Sequence, residues 1–206
     1  MKILAVSDQI IDRLYSSSIT ATYPGVNMII GCGDLPYAYL EFLLSVFSVP
    51  TFYVPGNHDP AYRIAEGFYA EGGVNLDGEV VYHKGLLMAG LGGSVLYPPG
   101  GPNQYTQRAM FLKVYRLLTK ILIAQRRHKR PLDIFVTHSP PAGIHDDDDQ
   151  THRGMQAFNY LLEKVKPRYM LHGHTIFYSQ NLKSHISTIG QTQVMNVYPY
   201  RVFDVD

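Results

Sequence analysis

Apolar residues along this chain fall into two kinds of pattern. Ile3 to Val6, Val26 to Ile30, Thr51 to Val54 and Ile134 to Thr137 are short, nearly continuous apolar runs, each handing over to a Gly, Pro or polar cluster. Runs of that length and ending predict strands buried on both faces. Between them the apolar spacing changes to the helical period at Tyr39 to Phe47, Gln107 to Arg127 and roughly Gly154 to Lys164. Strand and helix alternate, so the expected class is α/β. Glu79 to Gly92 and His185 to Val205 instead read as successive strands punctuated by turn signals such as Gly85 and Tyr198-Pro199, which predicts a second sheet. In the long helical stretch, Phe111, Val114, Tyr115, Leu118, Ile121 and Leu122 recur at helical spacing and are expected in the core.

Four polar segments follow apolar runs, and they carry the candidate chemistry: Cys32-Gly33-Asp34, Gly56-Asn57-His58-Asp59, Thr137-His138-Ser139 and His172-Gly173-His174. In open α/β sheets, ligand sites collect where loops meet beyond the carboxyl ends of the strands. Asp, Asn and several His converging from separate loops suit a divalent metal of borderline softness better than an all-oxygen Ca or Mg site. Glycines at 31, 33, 56 and 173 permit tight turns that aim the next side chain. Taken singly, a strand-end Asp or Asn is a turn former or a helix cap; the ordered set is what points to metal-assisted hydrolysis.

With Ser7-Asp8-Gln9-Ile10 at the front, the order of motifs resembles the calcineurin-like metallophosphoesterases, whose series runs D-x-H, G-D, G-N-H-D/E, a lone His and G-H-x-H. The resemblance extends from Asp8 to Ile176. It implies a four-layer α/β/β/α sandwich of two mixed sheets, built as one domain over residues 1–206. It also implies hydrolysis of a phosphodiester or small phosphomonoester by water that a metal activates. Asp34, Asn57, His138 and His174 would complete the ligand set of one ion. The other position retains Asp8 and a share of Asp34, because Ile10 and Ile176 stand where the family has histidines. One tightly held Mn, Fe or Zn ion is therefore expected, with the second weak or absent; Gln9 and Asp12 are the nearby groups that would rebuild it. His58 corresponds to the family's proton donor to the leaving oxygen, with Asp59 orienting it, and Asp8 is the candidate acceptor for a proton of the attacking water. The competing expectation is a catalytically weak or inactive protein that keeps this fold as a binding or scaffold subunit.

Composition alters this picture little. The 206 residues include 46% hydrophobic ones, enough for a core, and a formal charge of +1 supplies no basic field for nucleic acid. Cys32 is the only cysteine, so no intrachain disulfide forms and a cytoplasmic location is expected. Asp8 interrupts the first apolar run, which therefore does not read as a signal peptide, and no run reaches the roughly 18 apolar residues of a membrane span. Four successive acids, Asp146 to Asp149, between His145 and His152 read as a solvated loop, with a phosphate contact open to His152-Arg153. His172 reads equally as a satisfied core histidine or as support for a metal ligand, while His83, His128 and His185 read as surface or packing residues. The stretch Leu91 to Pro102 is too rich in Gly and Pro for regular structure, and Tyr97, Tyr105, Tyr37 and Tyr39 are candidates to line a substrate pocket, in a chain with 16 tyrosines.

Overall fold

The computed structural model describes residues 1–61, 67–176 and 185–205. The chain begins β1 (Lys2–Val6), α1 (Ile19–Thr22), β2 (Val26–Gly31), α2 (Tyr37–Phe47) and β3 (Thr51–Tyr53), and continues through β4 (Val74–Asn75), β5 (Val80–His83) and β6 (Leu86–Leu91). A short pair, β7 (Ser94–Val95) and β8 (Gln104–Tyr105), precedes α3 (Gln107–His128), β9 (Ile134–Thr137), α4 (Gln156–Val165) and β10 (Tyr169–His172). The described chain closes with β11 (Ile186–Ile189), β12 (Thr192–Asn196) and β13 (Tyr200–Asp204).

Two mixed sheets result. One has the order β13-β1-β2-β3-β4, the other β11-β12-β10-β9-β6-β5. In each, a parallel centre is bordered by antiparallel pairing, β1 with β13 in the first, β5 with β6 and β11 with β12 in the second. Period-two alternation along the central strands builds the layers. Ile3 and Ala5 of β1 point into a core between the sheets, where they join Met28, Ile30, Val136 and Leu171, while Leu4 and Val6 pack beneath Leu40 and Leu43 of α2. On the second sheet Phe135 and Met170 face outward onto Val114, Leu117 and Ile121 of α3 and Phe158 and Leu161 of α4. The four layers are helix, sheet, sheet, helix, the expected α/β/β/α sandwich.

Helix ends follow local chemistry. Thr106 caps α3 by accepting the Ala109 N–H at 3.2 Å, and Arg126, Arg127 and His128 sit in the last turn, where the helix dipole favours positive charge. α3 departs from expectation on one side: Val114, Leu118 and Ile121 are buried, but Tyr115 and Leu122 are 48% and 52% exposed. Those two lie at the edge of the apolar stripe, beyond the reach of the sheet below. The Gly/Pro-rich stretch also differs from expectation. β7 and β8 pair in parallel, Ser94 with Gln104 and Val95 with Tyr105, and so pinch off residues 96–103 as a loop.

The strand directions position the site. β1, β2 and β3 are mutually parallel, as are β9 and β10, so the segments that follow them emerge at the same edge of their sheets. The Gly173 N–H donates to the His138 carbonyl at 3.0 Å and the Asp8 N–H to the Gly33 carbonyl at 3.1 Å.

Candidate metal centre

His138 leaves the end of β9 fully buried, and its two ring nitrogens have different surroundings. Nδ1 lies 2.8 Å from the Cys32 carbonyl oxygen, which can only accept, so Nδ1 carries the proton and donates. Nε2 then bears a lone pair. It faces Asn57 Oδ1 at 3.0 Å, His174 Nδ1 at 3.1 Å and Asp34 Oδ2 at 3.3 Å. His174 is fixed by the same logic. Its Nε2 lies 2.8 Å from the Thr151 carbonyl and must donate to it, leaving the Nδ1 lone pair aimed at His138. The donor atoms of Asp34, His138 and His174 lie within 4.8 Å of one another. Lone pairs of a carboxylate, an amide and two imidazoles thus share one small volume. No pattern of neutral hydrogen bonds satisfies them all; a cation does. An oxygen and nitrogen set of this kind fits a divalent transition metal, so Asp34, Asn57, His138 and His174 fit the ion the sequence implies.

Without an ion, a proton fills the gap. Burial alone would drive the His138 pKa down, but the Asp34 carboxylate, with help from Asp8, outweighs it and raises the pKa to about 9. The reciprocal effect on Asp34 opposes its own burial and lowers that carboxyl to about 2. His174, buried beside the His138 charge, is held down at about 3 and stays neutral. Burial, with His145 and the other histidine charges adding to it, lowers His172 to about 3 against the opposing Gly173 carbonyl bond. Its Nε2 accepts from His145 Nδ1 at 3.0 Å, and Ser187 Oγ lies 2.9 Å from His145 Nε2. This makes His172 a buried histidine with both ring nitrogens satisfied, two residues from His174.

Backbone geometry shows how tightly the residues of the site are placed. Asp8, Asp34 and His174 all adopt left-handed conformations, with φ of 63°, 55° and 69°. Non-glycine residues adopt that region at a cost of about 1 to 3 kcal/mol each, which the surrounding contacts must offset. Glycine is required alongside them. A Cβ at Gly173 would lie 1.7 Å from Ser7 Oγ, and one at Gly56 would lie 2.0 Å from Asp34 Oδ1. The His58 N–H donates to Asp34 Oδ1 at 2.8 Å, tying the Asn57-His58 loop to the carboxylate.

Asp8, Asp34, Asn57, His58, Tyr97 and His152 are among the residues lining a cleft of about 440 Å³ over this cluster. His58 is exposed there, and Asp8 stands in the wall without joining the four-donor cluster. The Asp8 carboxylate accepts the His174 N–H at 3.0 Å and the Ser7 hydroxyl, and burial raises its pKa from the ordinary value. Ile176 lines the cleft and is 46% exposed, whereas Ile10 is 39% exposed and lies outside the lining. Gln9, one of the groups expected to rebuild a second ion site, accepts the Tyr198 hydroxyl at its Oε1 at 2.8 Å.

Asp59, expected to orient His58, also has a structural role. Its Oδ2 accepts two backbone N–H groups, Gly56 at 2.7 Å and Asp34 at 2.8 Å, and so locks the second and third ligand loops together. Burial raises its pKa to about 6 despite those bonds. Replacing Asp59 by Ala should destabilise the protein by roughly 2 to 4 kcal/mol, since two buried donors lose their acceptor. Asp59→Asn should cost far less, because both bonds fall on one oxygen that an amide can supply. Urea unfolding of the two variants checks this, and equal losses would contradict it.

Several expected pocket residues lie elsewhere. Tyr39 is buried on the core face of α2, and Tyr105 lies under Lys113, whose Nζ is 4.3 Å from the ring centre and 3.3 Å from the hydroxyl. Tyr37 donates to the Pro60 carbonyl at 3.2 Å. Tyr97 alone of the four lines the cleft. The acidic run is largely exposed, as its composition predicts, and is also braced by hydrogen bonds to neighbouring residues of its own loop. Asp149 accepts from Thr151 and His152, and Asp146 accepts the Gly154 N–H at 3.1 Å. The Thr151 carbonyl, which fixes the His174 tautomer, had no signal in the sequence, because a backbone group carries none.

The sequence matches the calcineurin-like phosphoesterase family over residues 4–178. The chain belongs to that family. It is 26% identical over 193 residues to the uncharacterized protein MJ1162 of Methanocaldococcus jannaschii, covering 87% of this chain and 81% of that one. Among solved structures it is similar to TT1561 of Thermus thermophilus, at 21% identity and a TM-score of 0.63, with 95% of this chain and 88% of that chain covered. It is also similar to GAP50, the anchor in the inner membrane complex of Plasmodium, at 12% identity and a TM-score of 0.54, covering 95% and 70%. These structural likenesses establish the metallophosphoesterase fold. Among the described residues, no helix is long and apolar enough to cross a membrane.

Proposed function

We propose that this protein hydrolyses a small phosphodiester or phosphomonoester, using one tightly held transition metal ion bound by Asp34, Asn57, His138 and His174. The observation that carries the reading is the convergence of four lone-pair donors on one volume, with both imidazole tautomers fixed by carbonyl acceptors. A bound divalent ion would polarise a phosphoryl oxygen and lower the pKa of water. It would also supply the positive charge that the cleft lacks: its described lining includes Asp8 and Asp34 but neither Lys nor Arg.

The chain's own groups divide the remaining work. His58 stands exposed at the cleft, its backbone pinned to Asp34, and serves as proton donor to the departing oxygen. Asp8, in the cleft wall with its pKa raised by burial, is placed to accept a proton from the attacking water. Ile176 in the lining and Gln9 bound to Tyr198 support a single ion rather than a pair. The one cysteine is buried and unpaired, in keeping with a cytoplasmic setting.

The test combines elemental analysis with turnover of a generic aryl phosphodiester and monoester. Close to one manganese, iron or zinc per chain, and turnover lost on chelation, are expected. Two tightly held ions would sink the single-ion reading. One bound ion with no turnover of either substrate would favour the scaffold reading.

A further inference from the structure

Asn57 is a ligand that can face the wrong way. Its amide has one end that can hold a cation, Oδ1, and one that cannot, Nδ2, and a half-turn about the terminal bond exchanges them. In the structure Oδ1 lies 3.0 Å from His138 Nε2, inside the donor cluster, while Nδ2 donates to the Tyr97 hydroxyl at 3.1 Å. Tyr97 is itself held by a built segment. The Ser94 N–H donates to the Asn103 carbonyl and the Leu96 N–H to the Tyr105 carbonyl, both at 3.0 Å. Asn103 Nδ2 then reaches across to the carbonyls of Gly56 at 2.9 Å and Asp59 at 3.2 Å. The loop 96–103 therefore grips the Gly56–Asp59 turn by its backbone through Asn103 and by its ligand side chain through Tyr97.

We infer that Tyr97 is a positioning residue for the metal centre: its hydroxyl takes up the amide N–H of Asn57 and so keeps the amide oxygen turned toward the ion. This rests on the metal-binding reading above, but it concerns a residue outside the family motifs and outside the ligand set. Hydrogen-bond partners of metal ligands typically contribute roughly 10- to 100-fold to affinity.

Calorimetric titration of Mn²⁺ into the full chain tests the inference through a double-mutant cycle that needs no turnover. Tyr97→Phe should weaken Mn²⁺ binding by roughly tenfold or more, while the unfolding midpoint of the ion-free protein stays unchanged. In an Asn57→Asp background, where the carboxylate presents oxygen at either end, the same Tyr97→Phe step should cost less than about threefold. Unaltered Mn²⁺ affinity in Tyr97→Phe would overturn the inference. So would an equal loss in both backgrounds, which would mark the phenol as packing only. Either result, with the wild type still binding Mn²⁺, leaves the proposed function standing; a wild type that takes up no Mn²⁺ overturns both.

Discussion

Replacing His138 by Ala is expected to abolish metal binding, weakening it by more than about a thousandfold, and to remove phosphoesterase activity with it. Its Nε2 is the point on which Asp34, Asn57 and His174 converge, so truncation removes the centre of the cluster and not an edge. His174→Ala should behave alike, because its Nδ1 is aimed into the same volume. His58→Ala should differ in kind. Its backbone N–H, which bonds Asp34, survives the substitution, so the ion should still bind while turnover falls by roughly 10²- to 10⁴-fold. Titration of Mn²⁺ alongside steady-state kinetics separates the classes, with near-ultraviolet dichroism to confirm folding. Loss of the ion in His58→Ala would break the proposed division between ligands and proton donor.

Binding of the ion should also be strongly pH-dependent. In the ion-free chain His138 is protonated up to about pH 9, whereas a ligand imidazole must be neutral at Nε2. His174, at about 3, and Asp34, at about 2, are already in their ligand forms at neutral pH. One proton must therefore leave for each ion that enters. The apparent affinity should rise about tenfold per unit, and so roughly a hundredfold between pH 7 and pH 9, then level off. Calorimetry in two buffers of different ionisation enthalpy should report close to one proton released per ion at pH 7. An affinity flat across that range would show that His138 is neutral before the ion arrives. The same group affects the ion-free fold with the opposite sign. Its folded pKa is raised above the ordinary 6.5, so its stabilising contribution is complete below pH 6.5 and is lost as pH rises through about 9. Ion-free protein should accordingly lose stability toward pH 9 over the interval in which metal affinity improves.

Much of the fold was legible because its signals are local. The short apolar runs at 3–6, 26–30, 51–54 and 134–137 read as buried strands since both faces of each are covered, and β1, β2, β3 and β9 form there. α3 began at Gln107 as expected, where Thr106 caps it, and α2 began two residues earlier than its apolar period, directly after Pro36. Other features had no local signal. β4, β7 and β8 are two residues long, too short to establish a period, and each exists only because a partner strand lies alongside. Tyr115 and Leu122 share the helical spacing of Val114 and Ile121, but how wide a stripe the second sheet can cover is a property of packing.

The site divides along the same line. Residue types pointed to a divalent metal of borderline softness, and the order of motifs, through the family resemblance it carries, to Asp34, Asn57, His138 and His174 as the expected ligand set with Ile10 and Ile176 in the slots of its missing complement, because ligand chemistry belongs to the side chain and is visible in the sequence. Tertiary structure decided which atom of each side chain faces the shared volume. The Cys32 and Thr151 carbonyls select the tautomers of His138 and His174, and Tyr97 takes the far end of Asn57. It also made Asp59 a brace between two loops and took Tyr39 and Tyr105 out of the pocket. Those outcomes depend on distance and direction between segments far apart in the chain, where a shift of one ångström exchanges one hydrogen-bond partner for another, and no pattern along the sequence encodes them.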